Sequence, residues 1–520
     1  MFDIIRKPDR VQLICGTYKN ETKVWLEDQN DVSVAFTETD EGLKIDVTGD
    51  KTPLMFVKCR WYGKFERGSL FFGDAIERAY GSLKFEGVRP ERIMPWYSVC
   101  KSGNHFGGYG VKVRQDAFIF WQTDPSGITL TVDVRCGSNG YAMAGKTVHA
   151  ATVVTMFGEY EQAADFLSDF CKKMADAPVL PDKPVYGFNN WYYAYGNITQ
   201  ESVLADAKLL AELTEGLDNR PFMVIDDGWQ DRATVSCTIN HKFTDMKALA
   251  DDMKALAVRP GIWIRPLLPK AEEYTELRST TFTQFLDPSL DETLAVIAAD
   301  MQTITKDWGY ELVKYDFSTC DTFGRFHPVP TTKMTDFEFT LRNPMTNAQA
   351  IKGLYKTILD NSNGAIIIGC NCVSHLGAGY FHLHRSGDDT SGNDWERTRY
   401  MGVNTLAFRL CQHKAFYEAD ADCIGNTGKT DFTWEMASRW LELLVDSSTP
   451  LFVSIAPEIV TGTIKEQLKA AFKTASKQEG SFKPLDLEYS TMPTRYEVNG
   501  IIKEYDLDDV MGAEYMEAHV

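Results

Sequence analysis

The pattern of apolar and polar positions divides the chain into two textures. In the N-terminal part, short alternating or apolar runs recur at residues 23–26, 32–36, 43–47, 54–57, 117–122 and 128–134, punctuated by Gly, Asn, Asp and Pro. A period of two is what a strand needs when one face is buried, and several such runs at close spacing predict a β-sandwich. A helix is expected over 160–174. The run Ala177-Pro178-Val179-Leu180-Pro181-Asp182-Lys183-Pro184 then reads as a linker, since proline donates no backbone hydrogen bond and restricts its neighbours.

After Pro184, short apolar segments alternate with amphipathic ones. Strands are expected at 185–191, 223–227, 261–267, 312–317, 365–370, 380–384, 416–421 and 451–455, with helices at 201–213, 292–308, 395–412, 432–444 and 463–476. Such alternation predicts βα units around a parallel sheet, and eight units in about 290 residues match a (β/α)8 TIM barrel. The last stretch returns to β-like alternation. The expectation is a multidomain chain: an N-terminal β-sandwich domain at 1–176, a linker at 177–184, a barrel at 185–478 and a small C-terminal β-domain at 479–520.

The length of 520 residues supports this division, because a single core stops growing near ~250–300 residues. Apolar residues at 44% and charged residues at 24% describe a globular protein rather than a disordered or coiled-coil one. The net charge of −19, with no dense Lys/Arg run, argues against nucleic acid as a partner. No apolar run reaches membrane-spanning length, so no membrane partner is expected. The eleven scattered cysteines and the charged N-terminus suggest free thiols and a cytoplasmic location.

In barrels of this kind, chemistry sits at the C-terminal ends of the strands. The residues expected there are Asn189, Asn190 and Trp191, then Asp226 and Asp227, Arg265, Lys314 and Asp316, Cys370 and Asn371, Arg385, Asp388 and Asp389, and finally Glu418, Asp420 and Asp422. Carboxylates between aromatic walls are what glycoside hydrolysis uses. Lys314 and Asp316 lie two apart on one strand, so they share a face, and a cation beside a carboxylate keeps it ionised as a nucleophile requires. The same pair also fits a structural salt bridge. Asp226 and Asp227 suit two neighbouring hydroxyls of a sugar, or a turn. A carboxyl in Arg385-Ser386-Gly387-Asp388-Asp389-Thr390 could serve as general acid/base, for which its pKa would have to be raised. The alternative is an Asp-rich turn. His382 and His384 share a strand face, but no further metal ligands at suitable spacing accompany them, and no metal site is expected.

Taken together, these segments resemble the retaining α-galactosidases of glycoside hydrolase family 36. The matching motifs are Asn189-Asn190-Trp191-Tyr192, Ile225-Asp226-Asp227-Gly228-Trp229, Pro260-Gly261-Ile262-Trp263, Leu286-Asp287-Pro288-Ser289, Lys314-Tyr315-Asp316, Arg385-x-Gly387-x-Asp389-Thr390 and Asp420-Ala421-Asp422-Cys423. The resemblance implies a β-supersandwich before the barrel, where Gly73-Asp74-Ala75-Ile76-Glu77-Arg78 matches more loosely. It implies Asp316 as nucleophile and Asp389 as acid/base, although a shifted alignment would select Asp388. Trp191, Tyr192, Asp226, Asp227, Trp263, Lys314, Cys370 and Arg385 would then bind substrate. The expected activity is release of terminal α-galactose from an α-linked oligosaccharide by double displacement, with no metal or organic cofactor.

The chain departs from the family pattern at Asn371-Cys372-Val373-Ser374-His375, a loop that can meet the 2-position of the sugar. An α-N-acetylgalactosaminidase therefore stays open as a second reading. So do a transglycosylase of the raffinose-synthase type and, from a different class, a non-catalytic sugar-binding protein. Whether the chain forms a homo-oligomer is also open.

Overall fold

The computed structural model of the protein describes residues 1–231, 237–326, 337–429 and 432–507. Its centre is one parallel sheet whose strands we label β1 (Tyr186–Asn189), β2 (Phe222–Ile225), β3 (Arg259–Ile264), β4 (Leu312–Tyr315), β5 (Ile366–Gly369), β6 (Leu383–Arg385), β7 (Glu418–Asp420), β8 (Ile424–Asn426) and β9 (Leu451–Ile455). Nearly every residue in these strands is buried. Helices such as Gln200–Leu213 and Asn347–Asp360 separate the strands in sequence and return the chain for each parallel pairing. Uniformly apolar runs such as Ile366-Ile367-Ile368 are what such a sheet requires, and each fully buried side chain of this size adds roughly 1.5–3 kcal/mol.

The spatial order is β7-β6-β5-β4-β3-β2-β1-β9-β8. The two edge strands, β7 and β8, are thus consecutive in sequence, and only residues 421–423 lie between them. A linker that short spans no more than roughly 3.6 Å per residue, so the sheet must curl until its two edges meet. The hydrogen-bond ladder nevertheless stays open at that seam. Asp422 has φ 84°, outside the extended region, and this interrupts the strand. The eight uninterrupted strands expected from the sequence are therefore corrected to nine, because the seventh is divided in two. The expected first strand also ends early: Trp191 opens the short helix Trp191–Ala194.

Before this sheet come two antiparallel sheets, one of six strands and one of seven. Gly42–Gly49 alternates buried and half-buried positions as a half-buried strand should. The sequence pattern misses several of these strands, including Arg10–Gly16, His105–Val111 and Thr147–Glu159. Glycines at 107, 108 and 110 dilute the apolar signal of the second of these, and each glycine there lies against a packed ring or thioether. The helix expected over 160–174 is Ala163–Met174. A three-stranded antiparallel sheet (Phe482–Pro484, Arg495–Val498, Ile501–Glu504) follows the parallel one. The remainder of the expected C-terminal domain, 508–520, lies outside the described residues. Among the described residues no helix is long and apolar enough to cross a membrane.

Candidate active site

Strand register brings the first group of polar side chains together. Trp263 of β3 lies level with Lys314 of β4. One step further, the Asp316 backbone N–H donates to the Ile264 carbonyl at 3.0 Å. Lys314 and Asp316 share the strand face turned toward a cavity of about 350 Å³ at the C-terminal end of the sheet.

Asp316 is held by neutral donors. The Trp263 indole N–H donates to Oδ2 at 3.0 Å, the Phe317 backbone N–H donates to Oδ1 at 2.6 Å, and the Asn371 amide N–H also donates to Oδ1. Phe317 lies in the left-handed region (φ 61°), which turns the chain so that its N–H points back at the carboxylate.

The expected pairing of Lys314 with Asp316 is corrected. The Lys314 ammonium donates to Asp226 Oδ2 at 2.7 Å, and Asn189 Nδ2 reaches the same oxygen at 2.6 Å. Burial alone would lower the Lys314 pKa, but Asp226 overrides it and holds the ammonium above its usual value. Asp227, next along the chain, is pushed up to about 6 by burial and by the charge of Asp226. Spacing along β4 showed which face Lys314 occupies; the curl of the sheet decides which carboxylate it meets.

The second group arrives on the segment after β6. Asp389 accepts from Arg385 at 3.0 Å, and Arg78 lies 3.8 Å away. Its side chain is 39% exposed, against 13% for Asp388, so Asp389 is the more open of the two acids. Asp388 is clasped by Arg78 at 2.9 Å and Arg397 at 2.8 Å. The raised pKa expected at Asp389 is also corrected. Burial acts in that direction, but Arg385, Arg78 and Lys314 outweigh it and hold the carboxyl below its usual range.

Trp191 and Tyr192 line the cavity with Trp263, Phe317 and Phe326. Tyr192 also donates its hydroxyl to Asp422 Oδ2, which Thr390 meets through both its N–H (2.8 Å) and its hydroxyl (2.9 Å). Of the residues expected to bind substrate, Trp191, Tyr192, Asp226, Asp227, Trp263 and Lys314 lie on the cavity wall, together with Asp316 and Asp389. Arg385 and Cys370 do not. Arg385 is 3% exposed beneath the floor, bridging Asp389 and Asp422 (2.8 Å). Cys370 is buried, its thiol pushed well above the usual range by burial and the charge of Asp316. Arg265 is turned aside, paired with Asp321 at 2.9 and 2.7 Å.

The residues expected to act on substrate or bind it do not include five other wall residues: Asn371, Phe317, Phe326, Arg397 and Arg78. Asn371 stands at a strand end and had a positional signal. Arg78, which lies between two strands of the N-terminal sheets, had only the looser match of Gly73–Arg78 to the family pattern. Of the loop 371–375, only Asn371 lines the cavity. His375 is buried, bonded to the Val111 carbonyl and stacked on Trp96. His382 accepts the Ile367 N–H, while His384 packs between the Phe381 and Tyr417 rings.

No protein-family model and no curated protein matches the chain. Solved structures do. An α-galactosidase from Thermus thermophilus, in complex with p-nitrophenyl α-D-galactopyranoside, superposes with a TM-score of 0.63 at 15% identity, covering 95% of this chain and 99% of that one. The same enzyme in complex with stachyose gives 0.58 at 15% identity, over 88% and 99%. The GH36 α-galactosidase AgaA from Geobacillus stearothermophilus gives 0.58 at 13% identity, over 91% and 77%. At these identities the likeness is one of fold, and it runs through the antiparallel and parallel sheets alike.

Proposed function

We propose that the protein is a retaining, exo-acting α-glycosidase that releases terminal α-galactose from oligosaccharides. The observation that carries this reading is the pair of unlike carboxylates in one small aromatic-walled cavity: Asp316 buried and aimed by three neutral donors, Asp389 open and attended by cations. A volume of about 350 Å³ suits one sugar ring and the first atoms of its leaving group. The α-galactosides bound to structural relatives lend support on the substrate side.

In this mechanism Asp316 attacks the anomeric carbon as the glycosidic bond breaks, and Asp389 gives its proton to the departing oxygen. A water then attacks the glycosyl–Asp316 ester, passing its proton to Asp389 and restoring both groups. Asp226, held by Lys314, and Asp227 accept sugar hydroxyls, while Trp191 and Tyr192 pack on the ring. Asp389 must gain a proton before it can act. Substrate supplies the change by expelling water from the cavity, which favours the neutral carboxyl. Within the same reading, the curled sheet is a (β/α)8 barrel with its seventh strand interrupted at Asp422. It occupies 185–478, between a β-supersandwich at 1–176 with its linker at 177–184 and a small β-domain from 479.

The test is hydrolysis of p-nitrophenyl α-galactoside beside p-nitrophenyl α-N-acetylgalactosaminide, with Asp316→Ala as control. Faster release from the galactoside, abolished in the variant, is expected. Undiminished release by Asp316→Ala would overturn the assignment.

A further inference from the structure

The N-terminal sheets reach the cavity through one segment. Residues 74–80 run beside 386–388 and exchange backbone hydrogen bonds with them: Ala79 N–H to the Ser386 carbonyl at 2.8 Å, and Asp388 N–H to the Ala79 carbonyl at 2.7 Å. A fully buried arginine braces the junction. Arg409 donates to Asp74 Oδ1 (2.9 Å), to the Ala75 carbonyl (3.1 Å) and to the Ser386 carbonyl (2.9 Å), and Gln412 takes the other oxygen of Asp74 at 2.8 Å. Such a network is costly to bury unless its members are satisfied together. Its effect is to fix one position of the N-terminal segment against the segment that carries Asp388 and Asp389.

The side chain delivered by this junction is Arg78. It is 7% exposed. Its Nε donates to the Tyr80 hydroxyl at 2.9 Å, and that hydroxyl donates to Glu77 Oε1 at 2.6 Å. The guanidinium lies over the Phe326 ring at 4.8 Å. Braced in this way, its NH1 sits 2.9 Å from Asp388 and 3.8 Å from Asp389, on the cavity wall.

The geometry points to Arg78 as a positioning residue for the acid/base, through which the N-terminal region completes the site. Shared between two acids, the guanidinium is anchored mainly by Asp388, so its pull on Asp389 is graded. Asp388, with Arg397 on its other oxygen, is the counterweight that keeps Arg78 from closing fully on Asp389. This inference rests on the reading of Asp389 as acid/base. The other groups facing Asp389 are Arg385 at 3.0 Å, Lys314 from β4, the Tyr192 hydroxyl and the Cys370 thiol. All of these belong to the parallel-sheet region, so Arg78 is the contribution that the N-terminal region adds.

The test uses the full chain and two variants with opposite expected signs, read by the pH profile of kcat/KM and by carbon-13 NMR titration of the Asp389 carboxyl. Arg78→Met removes a cation beside the acid and should move the basic limb and the Asp389 titration upward by about one pH unit. Asp388→Asn frees Arg78 to pair with Asp389 and should move both downward. Arg78→Lys, which keeps the charge, should restore most of the wild-type position. A limb and a titration that stay at their wild-type positions in both Arg78→Met and Asp388→Asn would overturn the inference. If Arg78→Met does not fold, Arg78→Gln takes its place, and the same upward shift is expected there. A wild-type protein that turns over no α-glycoside would instead defeat the catalytic reading, while the titration would still report whether Arg78 governs Asp389.

Discussion

The two carboxylate corners of the cavity are built on opposite principles. Asp316 stands at the end of a central strand, where an indole N–H, a backbone N–H and an amide N–H fix both of its oxygens. Neutral donors of this kind set direction: they aim lone pairs and hold the group still. Asp389 stands on an irregular segment, more exposed, and is attended by the guanidinium groups of Arg385 and Arg78. Cations set ionisation more than direction, and their pull changes when water leaves or a side chain turns. A nucleophile benefits from the first arrangement, because it acts in one fixed charge state. A group that must give a proton and take one back benefits from the second. On the proposed reading, the difference between the corners is a difference in what each must keep constant.

The comparison can be broken most severely at Asp316. Asp316→Ala should lower kcat by on the order of 10⁴–10⁶-fold for every leaving group, and added azide should partly rescue it by giving the β-galactosyl azide, detectable by mass spectrometry and NMR. Asp389→Ala should cost about 10²–10⁴-fold on oligosaccharides, which need protonation, and far less on aryl glycosides, which do not. Steady-state kinetics on raffinose and on p-nitrophenyl α-galactoside read that split, and Asp388→Ala should not show it. Trp263→Phe and Asn371→Ala each remove one donor from Asp316. Each should cost about 10²-fold in kcat, equally for both substrates; a loss confined to oligosaccharides would mean that these donors serve the other corner.

The smallest effect expected is on stability. Burial raises several carboxyls: Asp206, Asp300 and Glu418 to about 7, and Asp227, Asp321 and Asp420 to about 6. Their folded pKa values exceed the unfolded ones, so the native state binds more protons across this window. Their contribution is full below pH ~4 and is lost as pH rises through 6 and 7. The melting temperature should therefore fall by a few degrees between pH 5 and pH 8, as scanning calorimetry can show. Asp389, held low by cations, pulls weakly the other way at the acidic end.

How much of this was legible in one dimension follows the same division. Strand ends are local, so the pattern that located β2 and β4 also delivered Asp226 and Asp316. For β3 it pointed to Arg265, which turns aside to Asp321, and Trp263 came only with the resemblance. The pairing of Lys314 with Asp226 was not legible, because Lys314 reaches across the curl of the sheet to a neighbour that no spacing along β4 specifies. The split of the seventh strand hid in an ordinary Asp-Ala-Asp triplet, where one residue with positive φ opens the ladder at Asp422. Arg385 kept its spacing to Asp389, but its depth beneath the floor depends on the pairing with Asp422. Arg78 was the least accessible. Its role depends on a junction between distant segments, made by backbone hydrogen bonds that any sequence can form and braced by the buried Asp74–Arg409 pair.

The central claim, double displacement at Asp316, meets its most direct test in the anomeric configuration of the first product. Proton NMR during hydrolysis of p-nitrophenyl α-galactoside should show α-galactose forming first, with the β-anomer growing in only through mutarotation. β-Galactose as the first product would contradict the account, because it would require direct attack by water and leave Asp316 without its covalent role.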